Sequence, residues 1–227
     1  MNRTKTVVAV LAALVMAAFF TGCGDKNLVI EGPVLHGAKD RTKLPANLKI
    51  PNGIEEISKG AFEECKAIKT VTFPKTLKKI GSDAFEACKY LESVTIPEGV
   101  KEIGIGAFSE CDSLKSVTIP EGVKEIGDEA FYYCTSLTSV TIENGVKEIG
   151  FEAFYHCTSL TSVTIPSSVT LIANEAFDYC DSLESVTFQG TKAQWEAIEK
   201  KRNPFGGGNI GTFAVKCTDG ELPSQKW

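Results

Sequence analysis

The stretch "IPEGVKEIG" at residues 96–104 returns letter for letter at 119–127, and "IENGVKEIG" at 142–150 differs from it at two positions. A phrase that comes back every 23 residues means that each copy meets the same surroundings, which is the condition of a stacked array. Other columns keep the same step. Cysteine recurs at Cys65, Cys88, Cys111, Cys134, Cys157 and Cys180, and phenylalanine at Phe62, Phe85, Phe108, Phe131, Phe154 and Phe177. Ile68, Leu91, Leu114, Leu137, Leu160 and Leu183 form a third column, with no insertion or deletion across the six units.

Within a unit, "SVTI" (93–96 and its copies) alternates polar and apolar residues and is rich in β-branched side chains. This predicts a short strand with Val and Ile inward. Pro97-Glu98-Gly99 predicts a turn, with proline fixing φ and glycine free to adopt the left-handed conformation. "VKEI" (100–103) alternates again and predicts a second short strand. "GDEAFYYC" (127–134) predicts a helical turn capped by Asp128, with Ala130, Phe131 and Cys134 on its inward face. One coil of this size cannot bury its own apolar face, but stacked coils bury a continuous ladder of like side chains.

The signature C-x-x-L-x-x-V-x-I-P stands intact as Cys88, Leu91, Val94, Ile96 and Pro97, and again as Cys111, Leu114, Val117, Ile119 and Pro120. It resembles the leucine-rich repeat of the BspA-like (Treponema-type) subfamily, over roughly residues 44–190. The resemblance implies an α/β solenoid with 23-residue coils, short parallel strands and a helical turn per coil, capped at both ends. A three-faced parallel β-helix is the rival fold, and the helical turn weighs against it. The corresponding division is a lipoprotein signal peptide at 1–22, a lipid tether and N-terminal cap at 23–47, repeats at 48–190 and a C-terminal capping coil at 191–227. In that last segment Trp195 and Ile198 have helical spacing, and Val215-Lys216-Cys217 imitates the repeat strand.

The signal peptide is read from Arg3 and Lys5, an uncharged apolar run from Val7 to Phe20, and Phe20-Thr21-Gly22-Cys23. The run is too short to span a bilayer as a helix. Its end resembles a bacterial lipobox, which implies a lipid on Cys23, such as palmitate in part; a plain secretory signal is the alternative. Removing residues 1–22 takes away Arg3 and Lys5 and no acid, so the formal charge moves from −5 to −7 (22 basic against 29 acidic residues). An acidic chain gains nothing from counterion release on a polyanion, which argues against nucleic acid as a partner.

Catalytic and metal chemistry find little purchase. The chain has eight cysteines but no C-x-x-C or C-x-x-H spacing, so zinc and thioredoxin-like chemistry lack their motif. Its two histidines, His36 and His156, have no Ser, Cys or acid partner fixed by sequence, and no G-x-S-x-G, phosphate loop or H-E-x-x-H occurs. No catalytic residue, cofactor or metal is expected, and the ladder cysteines are expected to be buried free thiols.

Two exposed arrays remain. One is the outward Ser/Thr face of the main strands, for which strand propensity is a sufficient explanation. The other breaks the repeat. The position before each ladder cysteine runs Glu64, Ala87, Glu110, Tyr133, His156, Tyr179, and the position after each ladder phenylalanine runs Glu63, Glu86, Ser109, Tyr132, Tyr155, Asp178. Tyr132, Tyr133, Tyr155, His156 and Tyr179 are therefore the candidate ligand-binding residues, because exposed tyrosine favours recognition. Shielding of the turns is the plain alternative. The family resemblance implies a non-enzymatic, lipid-anchored envelope protein that adheres to host matrix or bacterial surfaces through protein or glycan ligands. An envelope scaffold without adhesive role and, remotely, a hydrolase are the alternatives.

Overall fold

The computed structural model describes residues 26–206 and 213–225. The expected signal peptide at 1–22 and the expected lipidation site Cys23 lie outside the described residues. The chain winds as a solenoid whose 23-residue coils carry two strands each.

The short strands, Glu56–Ile57, Lys79–Ile80, Glu102–Ile103, Glu125–Ile126, Glu148–Ile149 and Leu171–Ile172, stack in parallel within one nine-stranded sheet. That sheet begins with the antiparallel pair Leu28–Glu31 and Val34–Ala38 and ends at Glu199–Lys200. The longer "SVTI" strands form a three-stranded sheet, Asn47–Lys49, Thr70–Thr72 and Ser93–Thr95, followed by a six-stranded one from Ser116–Ile119 to Gly220–Gln225. Register is strict: Val117, Val140, Val163, Val186 and Val215 lie opposite one another in successive strands. The Val and Ile of these strands are buried while Ser and Thr stay at least partly exposed. That is the division a period of two imposes on a one-sided sheet.

The expected helical turn takes a different form. No helix occurs in the coils from Leu48 to Phe188; "AFxxC" is a run of tight turns knitted in two directions. In the first coil the N–H groups of Ala61, Glu63 and Cys65 donate locally to the carbonyls of Ser58, Gly60 and Phe62 at 3.1–3.3 Å. The intervening N–H groups of Gly60, Phe62 and Glu64 donate across to Ser82, Ala84 and Glu86 of the next coil at 2.7–2.9 Å. An α-helix cannot make the second set, because all its N–H groups point along its own axis. The alternation needs left-handed backbone at two positions per coil. The residue before each Ala (Gly60, Asp83, Gly106, Glu129, Glu152, Glu175) and the residue before each Cys (Glu64 through Tyr179) have φ between 52° and 61°. A non-glycine residue there costs ~1–2 kcal/mol, and the inter-coil hydrogen bonds hold it in place. Asp128 does not cap its own turn: its Oδ1 accepts from the Phe151 N–H of the next coil at 2.7 Å.

The corner glycines differ from expectation too. Gly99 and Gly122 are not left-handed. A Cβ on Gly122 would lie 2.3 Å from the Val100 carbonyl oxygen and 2.6 Å from that of Glu98. Glycine is needed because successive corners touch.

The interior is a set of columns. Phe62, Phe85, Phe108, Phe131, Phe154, Phe177 and Phe205 stack with centroids 5.1–5.4 Å apart. Phe205 joins from the enlarged last turn of chain, which also contains the helix α1 (Lys192–Ala197) that buries Trp195. Each ladder cysteine from Cys88 to Cys180 donates its thiol proton to the carbonyl of the phenylalanine in the preceding coil, such as Cys134 Sγ to Phe108 O at 3.2 Å. All six ladder cysteines are free and buried. At the first coil, where no preceding turn exists to supply N–H donors, the Arg41 guanidinium donates to the carbonyls of Gly60 and Glu63.

Candidate functional site

The two left-handed columns fix where the candidate binding residues stand. Because Ala, Phe and Cys of each turn point inward and are buried, the residues between Phe and Cys reach the surface, apart from the buried Ser109 and Asp178. Tyr133, His156 and Tyr179 fall on one outward line and Tyr132 and Tyr155 on its neighbour, one coil apart along each.

The structure brings all five rings together. Tyr132 stacks on Tyr155 at 5.2 Å between centroids and 11° between planes. Tyr133 stacks on His156 at 4.2 Å and 19°. His156 continues to Tyr179 at 5.9 Å, and Tyr155 meets the same Tyr179 ring at 5.2 Å and 60°. The two lines are thus joined into one aromatic surface across three coils. Four of its rings are half-buried and Tyr179 is exposed. Offset stacking of this kind contributes ~0.5–1.5 kcal/mol per pair, so the surface is ordered before any partner arrives.

Burial pushes the Tyr155 phenol up to about 12, with the neighbouring Tyr179 and Tyr133 adding to it. Burial also raises Tyr132, followed by Tyr133 and the carboxylates of Glu152, Glu129 and Glu110. The phenols therefore stay protonated and neutral through the physiological range. The Glu152 carboxyl is pushed up by burial and then by Glu129, Glu175 and Asp178, a sign that acids crowd the same face. Asp178 replaces the tyrosine expected from the coils before it for a local reason. It is 4 % exposed, and its Oδ1 accepts from the Tyr179 N–H at 2.8 Å, a donor that in earlier coils reaches the next turn.

Sequence reasoning missed Phe151, which is 37 % exposed at the corner leading into the Glu152–Tyr155 turn. Its signal was present: the same position in the other coils holds Lys59, Ser82, Ile105, Asp128 and Asn174. The Ser/Thr face of the long strands is exposed as expected but presents only small side chains.

His36 has a partner that spacing did not reveal. Ser58 Oγ lies 3.0 Å from His36 Nδ1, and Glu31 lies 3.9 Å from His36 Nε2. The carboxylate is beyond hydrogen-bond distance and its side chain is 91 % exposed, so it does not orient the imidazole. Among the described residues no group of three or more His, Cys, Asp or Glu side chains is arranged to hold a metal ion. Among them no helix is long and apolar enough to cross a membrane.

The comparisons agree with the repeat and the solenoid fold. A leucine-rich cell surface protein from Faecalibacterium prausnitzii is 31 % identical, matching 73 % of this chain and 38 % of its own, at a TM-score of 0.56. The chain thus spans well under half the length of that relative. The leucine-rich repeat protein of T. pallidum is 25 % identical with a TM-score of 0.73, over 84 % of this chain and 90 % of its own. The pneumococcal vaccine antigen PcpA shares the fold at 19 % identity, with a TM-score of 0.56 over 80 % of this chain and 48 % of its own. Comparison with curated proteins gives no match. The model of the BspA type leucine rich repeat region matches six copies, over residues 41–142 and 78–201. The chain belongs to the BspA-type leucine-rich repeat family.

Proposed function

We propose that the chain is an exported lipoprotein, held to the cell envelope by a lipid on Cys23 once residues 1–22 are removed. Its solenoid then serves as an adhesion module for a protein or glycan partner, with host matrix among the candidates. In this reading residues 23–47 are tether and N-terminal cap, 48–190 the repeats, and 191–227 the C-terminal capping coil. The antiparallel strand at each end of the stack supports the capping roles, since a solenoid must cover its terminal apolar faces. The description of the Faecalibacterium relative as a cell surface protein supports the location.

The observation that carries the reading is the aromatic surface of Tyr132, Tyr133, Tyr155, His156 and Tyr179. In an array whose coils are otherwise nearly identical, it is the largest departure at exposed positions. Interface hot spots are rich in tyrosine and cluster in this way.

Three measurements test it. Metabolic palmitate labelling is expected to disappear in Cys23→Ala, and a labelled variant defeats the anchor. Protease applied to intact cells is expected to remove the protein; full protection points instead to an internal scaffold. Binding of cells to matrix- or mucin-coated surfaces is expected to fall more than tenfold in Tyr133→Ala/Tyr155→Ala, with circular dichroism showing that the variant is still folded at the assay temperature. Thr118→Ala/Thr141→Ala on the long-strand face is expected to change it little; the reverse pattern moves the site to that face.

A further inference from the structure

The turn face around the aromatic rings has a marked charge asymmetry. Residues 127–137, 150–160 and 173–183, which build it in the three aromatic coils, contain Asp128, Glu129, Glu152, Glu175, Asp178 and Asp181 but no lysine or arginine. The first two coils are different. There Lys59 reaches Asp83 at 3.2 Å, and Lys89 reaches Glu110 and Asp112 at 3.7 and 3.6 Å. The last basic side chain of the turn face is thus Lys89, and the coil between it and the ring cluster, residues 104–114, already has none. Glu129, Glu152 and Glu175 share one left-handed column, each three residues before or four residues before a ring of its own turn. This sets a line of half-buried carboxylates beside two lines of rings.

Aromatic faces attract cations through the ring quadrupole, and the attraction grows when carboxylates lie at the rim. Arginine does this best, because its planar guanidinium stacks on a ring while donating to a carboxylate. A strand-like chain advances about 3.3 Å per residue, so side chains two residues apart stand some 6–7 Å apart, near the ring-to-ring steps of 4.2–5.9 Å along this face. Anionic glycans and polyanions meet repulsion on the same surface, and a neutral glycan makes no use of its charge.

We propose, building on the reading of this surface as the contact site, that it docks an arginine- or lysine-bearing extended segment of a protein partner. The rings take the aliphatic stems and cationic heads, and Glu129, Glu152 and Glu175 take the charges.

The test uses the purified full-length chain and two synthetic decapeptides, one alternating Arg and Gly and one alternating citrulline and Gly, with affinity read by calorimetry. The arginine peptide is expected to bind and to weaken at least tenfold between 50 and 300 mM NaCl, while the citrulline peptide binds at least tenfold more weakly. Glu129→Gln/Glu152→Gln/Glu175→Gln and, separately, Tyr133→Ala/Tyr155→Ala are each expected to weaken the arginine peptide tenfold or more. Tyr179→Ala, at an exposed position, serves where the double variant melts early. Glu102→Gln/Glu125→Gln/Glu148→Gln, which removes as much charge from the short-strand sheet, is expected to leave binding unchanged. Equal binding of the two peptides overturns the proposal, as does an equal loss in the sheet variant, which reduces the effect to net charge. Failure of both peptides to bind, while cell adhesion still depends on Tyr133 and Tyr155, overturns the cationic partner and leaves the contact site standing.

Discussion

Alkali should destabilise this protein well before general base denaturation, and the ladder thiols set the amount. Burial pushes Cys65 up to about 11 and both Cys88 and Cys134 up to about 12, from an ordinary value of 9.0. The sign follows from proton binding. Below pH 9 both folded and unfolded chains keep their thiol protons, so the stabilisation is complete. Above it the unfolded chain releases protons that the folded chain retains, and stability falls until the folded values are reached. At pH 10 each of these three thiols contributes about 1.4 kcal/mol less than at neutrality, or about 4 kcal/mol together. That is a large part of the ~5–15 kcal/mol that holds a typical domain. Burial raises Cys111 and Cys157 well above the ordinary value too, and they act in the same direction. The assay is the urea midpoint at pH 7.5, 9 and 10, followed by circular dichroism with a phosphine reductant present. Cys134→Ala is expected to be less stable at pH 7.5, because the Phe108 carbonyl loses its donor. Its further loss by pH 10 is expected to be about 1.4 kcal/mol smaller than that of the wild type. A wild-type midpoint that does not move between pH 7.5 and 10, or an equal loss in the variant, refutes the reasoning.

Phe131→Ala removes a ring held between Phe108 at 5.4 Å and Phe154 at 5.2 Å, and such truncations cost ~3–5 kcal/mol. Phe62 has a stacked neighbour in the column on one side only, so Phe62→Ala is expected to cost less; equal denaturant midpoints contradict nearest-neighbour energetics. Gly122→Ala drives a Cβ to within 2.6 Å of two backbone oxygens and is expected to cost ~1–3 kcal/mol; an unchanged melting temperature means that the corner yields without strain. Glu125 stands between Glu102 and Glu148 in the short-strand sheet, and burial, followed by Glu148, Asp128 and Glu102, raises its carboxyl. Glu125→Lys is expected to gain roughly 0.2–1 kcal/mol, shrinking in high salt, and no gain at low salt counts against repulsion in that column.

The period of 23 made the solenoid, its inward columns and the strand register legible, because burial repeats the same demand at the same position in every coil. The turn was misread in detail for a physical reason. Ala130, Phe131 and Cys134 have helical spacing, yet the hydrogen bonds that shape the turn run between residues 22 apart, as from Phe131 to Ala153. Nothing local in "GDEAFYYC" announces them. The role of Gly122 and the reach of Asp128 to Phe151 are likewise contacts with a neighbouring coil. The ring cluster was legible as five residues, since columns one coil apart must adjoin. That Tyr179 serves both lines of rings, and that the Asp178 carboxylate accepts from the N–H of Tyr179, depended on side-chain directions that spacing does not give.

Near-identical coils also bear on how the chain finds its fold. When "SVTI" strands at 116, 139 and 162 offer the same edge to one another, a strand that skips one neighbour loses little in the sheet itself. A looped-out coil is then a trap close in energy to the native stack, and a chain of this kind must distinguish the correct neighbour by other means. The irregular corners supply that means. Ser168 Oγ accepts from the Gly145 N–H at 2.9 Å and donates to the Val146 carbonyl at 2.7 Å, and the Asp128 carboxylate accepts from the Phe151 N–H of the coil that follows it. These departures act as address labels between consecutive coils. Restoring Ser168 to the consensus glycine would tidy the repeat and leave the sixth coil less able to tell the fifth from the fourth.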